Sequence, residues 1–293
     1  MDYANFGTLN IIAKQPHVPL PSYTLRALMK QILEGMRVIH ATNFIHRDIK
    51  CDNILLHSPP GSECVYVKIA DFGFAKEEDL SNKQTYLKGT LPYWGPELYQ
   101  FPINLTHKVD QFAIGVIFYR LITRKYPIFE ATYEKQKLKM AQLNSIKRPS
   151  EIKDDIQWDL LSKLLEFDPI KRITAEQALQ HPYFTSPESL SDVSKEQQEL
   201  AQIAKQTQLK EGNFSFTKFD KDPTFIVAES VIKQFILEDI RLQKLKEQQF
   251  DQQKGLSQQE VELKEEFQTV FSLKELEEKQ LNNNYKQSKI QLN

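Results

Sequence analysis

Cysteine is nearly absent from this chain of 293 residues, which contains only Cys51 and Cys64. The two thiols form no CxxC pair, and no histidine cluster with metal-ligand spacing accompanies them. The sequence therefore argues against a disulfide framework and against a structural zinc site. It predicts a reducing, cytoplasmic setting, with the nucleus also compatible.

An excess of charge of one sign is also missing, since 38 Lys and Arg stand against 39 Asp and Glu. No global basic field points to nucleic acid or to a membrane surface as a partner. The longest apolar run, at residues 112–119, is too short to span a bilayer. The first ten residues have no basic region before an apolar run, so no signal peptide is predicted.

The residue patterns divide the chain into three segments. Residues 1–185 contain an amphipathic helical pattern at 22–40 and an alternating strand pattern at 65–70, which follows the turn signal SPPGS and predicts a β-hairpin. Residues 186–192 are rich in Ser and Pro and predict a linker. Residues 193–293 are rich in Gln, Glu and Lys and predict a helical tail.

The predicted tail has apolar residues at helical spacing in two places, residues 225–245 and 261–281. We interpret them as two long helices joined near Gly255. Their narrow apolar stripes could form a helical hairpin, pack back on the first segment or bind a partner. Solvated helices of low stability are the fourth alternative.

The polar loop in FIHRDIKCDNILL, residues 44–56, holds the residues with the clearest chemistry. Asp48 can accept a hydroxyl proton, Lys50 can neutralise charge on a transferring phosphoryl group, and Asn53 offers an oxygen to a hard cation. Asp71, after the predicted hairpin, offers a charged oxygen to the same cation. Mg²⁺ favours few carboxylates together with phosphate oxygens and water. Because phosphoryl transfer mainly requires positioning and charge neutralisation, this set points to that reaction.

The motifs HRDIKCDN and ADFGFAK resemble the catalytic and metal-binding loops of eukaryotic protein kinases of the serine/threonine type. Three later stretches resemble further parts of that family in the same order: GTLPYWGPE at 89–97, DQFAIGVIFY at 110–119 and LLEFDPIKRITAEQALQHPYF at 164–184. The resemblance covers roughly residues 1–185 and implies a mainly α (α+β) fold, a kinase-like large lobe with short β-hairpins, followed by the helical extension. DFGFAK is also weakly similar to the autophagy-initiating kinases.

The resemblance implies roles for the matching residues. Asp48 would be the catalytic base, Lys50 would contact the phosphate, and Thr90 would orient both, as in serine/threonine kinases. Asn53 and Asp71 would bind Mg²⁺ beside ATP. Arg47 would reach a phosphate on Thr85 or Tyr86. Four matches would be structural: Glu97 and Arg172 would form a buried ion pair, and His46 and Phe72 would stack in the core. Asp110 would tether the loop, and the peptide pocket would be shaped by Leu91, Tyr93 and Trp94.

The stretch MDYANFGTL at the start resembles the hinge between the two lobes of a kinase. The backbone of Asp2 and Tyr3 and the side chain of Leu55 would then contact adenine. The resemblance implies that the small N-terminal lobe is absent from the chain. None of the nine glycines lies two positions from another, so the glycine-rich phosphate loop of that lobe is absent too. A nucleotide on the large lobe alone would stay open to water, which weakens electrostatic stabilisation.

Two functions stay open on the sequence. The first is the catalytic lobe of a serine/threonine kinase, which transfers the ATP γ-phosphate to Ser or Thr of a protein substrate; without the small lobe, the isolated chain could be active or inactive. The second is a half-kinase or pseudokinase that binds proteins through its exposed lobe face or its helical tail. A phosphatase or another Mg²⁺ enzyme with the same acidic residues is opposed by the order of the motifs.

Overall fold

Helices supply most of the regular structure in the computed structural model, which describes residues 4–78, 88–100, 102–103, 105–211 and 217–249. The α-helices are α1 (Asn10–Ala13), α2 (Ser22–Ala41), α3 (Lys108–Thr123), α4 (Tyr133–Ala141), α5 (Asp155–Leu164), α6 (Ala175–Leu179), α7 (Pro182–Thr185), α8 (Pro187–Ser191) and α9 (Lys195–Glu211), and residues 229–249 are also helical. The strands β1 (Phe44–Ile45) and β4 (Lys76–Glu77) pair antiparallel, as do β2 (Ile54–His57) and β3 (Tyr66–Ile69). The predicted mainly α (α+β) fold class is confirmed.

Helix α3 lies at the centre of the core and is buried without interruption from Val109 to Phe118. It packs on α5, where a Cβ atom at Gly115 would lie 2.9 Å from a methyl group of Leu165. The side chain of Asp154 caps α5 by accepting from the backbone N–H groups of Ile156 and Gln157. The apolar run at residues 112–119 is therefore part of a buried helix in the core of the fold.

The predicted hairpin is present as β2 and β3, with Ile54 opposite Ile69. It lies on α2, where Gly35 leaves room for the Ile69 side chain, whose Cδ1 would be 2.8 Å from an added Cβ atom. On the other side of β2, the Leu9 N–H donates to Ile54 at 2.8 Å. Because β2 follows Asn53 directly, the hairpin fixes where the polar loop ends.

The chain divides into two compact units, residues 1–239 and residues 240–293. Within the first unit, Ile226, Ile232 and Phe235 belong to the same apolar core as α2 and α3. Of the alternatives for the predicted tail, packing back on the first segment is therefore what these residues do. In the second unit the structure describes residues 240–249, which are helical, and the predicted helix at 261–281 lies outside the described residues.

The short helix α8 lies within the predicted linker. Asp192, which follows α8, forms a salt bridge with Arg26 at 2.5 Å. The division into lobe 1–185, linker 186–192 and tail 193–293 stays a prediction. Throughout the described ranges, none of the helices has the length and apolarity that crossing a membrane requires.

Candidate active site

The loop between β1 and β2 is fixed to the most buried helix by one carboxylate. Asp110 at the start of α3 accepts from the backbone N–H groups of His46 and Arg47, each at 2.9 Å. The buried His46 ring contacts the carbonyl oxygen of Ala70 at 3.0 Å. Arg47 has a left-handed backbone with φ of 68°, a conformation that costs energy in a non-glycine residue. The loop is thus held in a sparsely populated conformation by contacts on both sides.

Asp48 lies at the centre of a buried polar cluster and is 4% exposed. Lys50 Nζ donates to Asp48 Oδ2 at 2.7 Å, and the Thr90 hydroxyl donates to Oδ1 at 2.8 Å. The Asn53 amide nitrogen donates to Oδ2 at 3.1 Å and to the Asp48 carbonyl at 2.8 Å. Lys50 Nζ also donates to Thr90 at 3.1 Å. The structure therefore brings Asp48, Lys50, Thr90 and Asn53 together.

The hydrogen bonds to Asp48 distinguish its two carboxylate oxygens. Each oxygen of an ionised carboxylate has about two acceptor positions. Oδ2 accepts from both Lys50 and Asn53, whereas Oδ1 accepts from Thr90 among the described residues. Oδ1 thus keeps an acceptor position on an oriented carboxylate, which is the geometry that a general base needs.

The two candidate metal ligands flank the hairpin. Ala70, which precedes Asp71, donates its N–H to the Asn53 carbonyl at 2.9 Å, so the two ends of the hairpin meet. The amide nitrogen of Asn53 faces Asp48, which leaves the amide oxygen for a ligand. Asp71 is exposed, with φ of 65° and a carboxylate that accepts from Gly73 N–H at 3.3 Å.

This donor set fits Mg²⁺ that takes most of its ligands from elsewhere. No cluster of three or more metal-binding His, Cys, Asp or Glu occurs in the part of the chain that the structure describes. One amide oxygen and one carboxylate are the few protein ligands typical of Mg²⁺ bound together with phosphate oxygens and water. Asn53 and Asp71 would therefore hold the ion only with a phosphate ligand present.

Gly89 allows the segment that begins at residue 88 to contact the loop between β1 and β2. Its φ is 110°, and a Cβ atom there would lie 2.6 Å from the Arg47 carbonyl oxygen and 2.9 Å from Trp94 Nε1. Only glycine allows both this backbone conformation and this close approach. Thr90, the next residue, reaches Asp48 because of it.

We expect Gly89→Ala to lower the rate of any reaction at Asp48 about tenfold or more, because a shift of about 1 Å in a positioned group costs up to 10²-fold. Gly61→Ala is the matched control, since Gly61 also has positive φ, 77°, but has nothing within 4 Å of an added Cβ atom. Both variants should lose stability through backbone strain in thermal unfolding. Equal activity losses in the two variants would show that the contact with Arg47 does not matter.

Glu97 and Arg172 form a buried, two-pronged ion pair. Arg172 donates to the two Glu97 oxygens at 2.5 and 2.9 Å, and its guanidinium also donates to the carbonyls of Glu166 and Lys108, each at 2.7 Å. A Cβ atom at Gly95 would collide with the Glu97 carboxylate, so glycine at this position suits the fold of the segment.

The other predicted residues differ in how deeply their side chains are buried. Tyr93 and Trp94 are buried, whereas Leu91 is half-buried. Burial raises the pKa of the Tyr93 phenol. Phe72 is not a core residue: its ring contacts His46 at 4.9 Å between centroids but is 49% exposed. Leu55 is half-buried and forms a β-bridge with Thr8.

Several predicted site residues lie outside the described residues. They are Asp2 and Tyr3 of the predicted hinge and the predicted phosphate acceptors Thr85 and Tyr86. Arg47, which would reach a phosphate on that segment, donates Nε to the Phe74 carbonyl. Those roles stay predictions.

Sequence reasoning missed a second polar network beneath the loop. Arg120 of α3 donates to the Tyr93 hydroxyl at 2.5 Å and to Asn10 Oδ1 at 3.2 Å, and the Asn10 amide donates to Asp52. Tyr93 in turn accepts from the Cys51 N–H at 3.3 Å. No local pattern could reveal it, because Asn10 and Arg120 lie 110 residues apart in the chain.

Comparison with known proteins gives a consistent set of similarities. The family model described as "Protein kinase domain" matches residues 1–184. The chain is 35% identical over 175 residues to the phosphorylase b kinase gamma catalytic chain, liver/testis isoform, of Mus musculus, covering 57% of this chain and 42% of that protein. It is 33% identical over 232 residues to cyclin-dependent kinase E-1 of Arabidopsis thaliana, covering 62% and 49%.

The chain is also 30% identical over 193 residues to serine/threonine-protein kinase ATG1b of Arabidopsis thaliana, covering 64% of this chain and 26% of that protein. It thus spans half or less of the length of these curated relatives.

Proposed function

We propose that this chain, which belongs to the protein kinase family, transfers the γ-phosphate of ATP to a serine or threonine hydroxyl of a protein substrate. The observation that carries the proposal is the cluster around Asp48, whose carboxylate is oriented by Lys50, Thr90 and Asn53 while Oδ1 keeps an acceptor position. Positioning and charge neutralisation are what phosphoryl transfer asks of a protein.

Each residue then has one task in the reaction. Asp48 Oδ1 accepts the proton of the attacking hydroxyl, and Thr90 holds that oxygen in place. Lys50 Nζ, which lies 2.7 Å from Asp48 Oδ2, supplies positive charge where negative charge develops on the phosphoryl group. Asn53 and Asp71 would hold Mg²⁺, which when bound neutralises charge on the phosphate oxygens.

The pairing of Lys50 with Thr90 favours serine and threonine over tyrosine as acceptor. Both side chains bond to each other and to Asp48, as the resemblance to serine/threonine kinases implies. A relative whose name includes "serine/threonine-protein kinase" supports the same class. The test is to incubate the full chain with Mg²⁺, ATP and matched Ser, Thr and Tyr peptides and to identify the phosphorylated amino acid. Phosphotyrosine alone would contradict the assignment, and peptide binding without transfer would favour the binding-module alternative.

We expect Asp71→Asn to raise the Mg²⁺ concentration needed for half-maximal transfer by more than roughly 10- to 100-fold. That range is the usual cost of losing a residue that only hydrogen-bonds to a metal ligand, and loss of a ligand itself should cost more. Part of the activity should return at high Mg²⁺, because the Asn53 oxygen and the phosphate ligands remain. Glu77→Gln is the matched control, since its exposed carboxylate lies on nearby β4. The same Mg²⁺ dependence in Asp71→Asn and the wild type would remove Asp71 from the metal site.

A further inference from the structure

Residues 217–239, called the strap from here on, lie against the hairpin β2–β3, outside the cluster around Asp48. The Val65 N–H donates to the Val227 carbonyl at 2.8 Å, and the Glu229 N–H donates to the Glu63 carbonyl at 2.9 Å. An isolated β-bridge joins Cys64 to Ala228. The strap therefore pairs its backbone with the chain just before β3.

Two side chains of α2 form hydrogen bonds to the strap. Lys30 Nζ donates to the Thr224 hydroxyl at 2.6 Å, in a buried contact. The Gln31 side chain donates to the Phe225 carbonyl at 2.7 Å and accepts from the Val67 N–H at 2.8 Å. Gln31 thus joins the strap and the hairpin to one helix.

The apolar side chains of the strap complete the core beside the hairpin. Val227, Ile232 and Phe235 are fully buried. A two-stranded hairpin is marginally stable by itself and needs packing on at least one face. The strap and α2 provide that packing for β2 and β3.

A buried serine connects the strap to the N-terminal segment. The Ser58 hydroxyl donates to Glu229 Oε2 at 3.0 Å, and its N–H donates to Asn5 Oδ1 at 2.9 Å. The Asn5 amide donates back to the Ser58 carbonyl at 2.7 Å. Glu229 is paired with Lys233 at 2.6 Å, so its carboxylate is oriented within the strap.

We propose that the strap positions the hairpin and, through it, Asn53, Asp71 and Leu55, which makes Ser58 and Glu229 positioning residues for the nucleotide and its metal. Asn53 directly precedes β2, and Asp71 follows β3 after one residue, so any shift of the hairpin moves both ligands. The Ala70 N–H donates to the Asn53 carbonyl at 2.9 Å and closes that end of the hairpin. Amide exchange at Ala70 therefore measures how firmly this end is held. The effect on nucleotide and metal binding rests on the proposed function, whereas the positioning of the hairpin by the strap does not.

The test compares Ser58→Ala and Glu229→Gln with Ser230→Ala in the full chain. Ser230 is the matched control, because it is exposed and its hydroxyl donates to the half-buried Glu196 of α9 at 2.7 Å rather than to a residue of the hairpin. The first two variants should raise KM for ATP with Mg²⁺ about 3- to 10-fold and leave kcat near its wild-type value, because Ser58→Ala loses one hydrogen bond and Glu229→Gln replaces its charged acceptor with a neutral one. Amide exchange at Val65 and Ala70 should accelerate by a similar factor. Ser230→Ala should match the wild type in all three measurements.

The exchange measurement keeps this inference separate from the proposed function. If the wild type transfers no phosphate but Ala70 exchange accelerates in Ser58→Ala and Glu229→Gln, the proposed function fails and the strap still positions the hairpin. If exchange accelerates at Val65 while Ala70 exchange and KM stay at their wild-type values, the strap stabilises only the tip of the hairpin and the inference is overturned. Equal changes in Ser230→Ala would overturn it as well.

Discussion

Replacing Asp48 with asparagine is expected to lower kcat for phosphoryl transfer by about 10²- to 10⁴-fold, the contribution of a positioned general base. Asparagine keeps the size of the side chain, but it cannot take up the hydroxyl proton. The hydrogen bonds from Lys50 and Thr90 would meet a neutral amide instead of a carboxylate. The measurement is kcat at saturating ATP and peptide, with thermal unfolding to show that the variant is folded.

Asp52→Asn is the matched control for this experiment. It makes the same chemical change in the same loop, at an exposed carboxylate that accepts from Asn10 rather than contacting the cluster around Asp48. We expect its kcat to stay within a few fold of the wild type. A loss as large as that of Asp48→Asn would mean that loop structure, rather than proton acceptance, limits the rate.

Breaking the Glu97–Arg172 pair is expected to give the largest loss of stability, about 3–5 kcal/mol in the free energy of unfolding for Arg172→Met. Arg172 is fully buried and Glu97 nearly so, so the single variant leaves a buried carboxylate without its partner. Solvent cannot replace the two hydrogen bonds that span 2.5 and 2.9 Å. Urea unfolding with a constant m-value measures the change.

The double variant Arg172→Met/Glu97→Gln should recover much of that loss, because neither buried side chain then carries an uncompensated charge. Lys125→Met is the surface control: its pair with Glu151 is exposed, and its loss should cost less than about 1 kcal/mol. A cost for Arg172→Met as small as that of Lys125→Met would show that the buried pair does not hold this segment in place.

Most of the cluster around Asp48 could be predicted from the sequence because its residues are close together in the chain. Asp48, Lys50 and Asn53 share one loop, and one hairpin separates them from Asp71. Helix α3 and the hairpin were predictable for the same reason, since apolar runs, alternation and turn residues are local patterns. Thr90 required the family resemblance, because 42 residues separate it from Asp48.

Contacts between distant parts of the chain that no family motif marks could not be predicted. The strap residue Thr224 meets Lys30 across 194 residues, and the periodicity of the tail showed an apolar face without showing what covers it. The exposure of Phe72 was also out of reach, because a motif gives the residue type and not the packing around its ring. Burial is decided by tertiary contacts that propensity and spacing do not encode.

The most direct test of the claim that Asp48 serves phosphoryl transfer is a single-turnover reaction of the full chain with ATP, Mg²⁺ and a serine peptide, in which ADP and phosphoserine are measured together. We expect phosphoserine and ADP to form in equal amounts with the wild type and Asp52→Asn, and neither to form on the same timescale with Asp48→Asn. Phosphoserine formed by Asp48→Asn at the wild-type rate would contradict the claim.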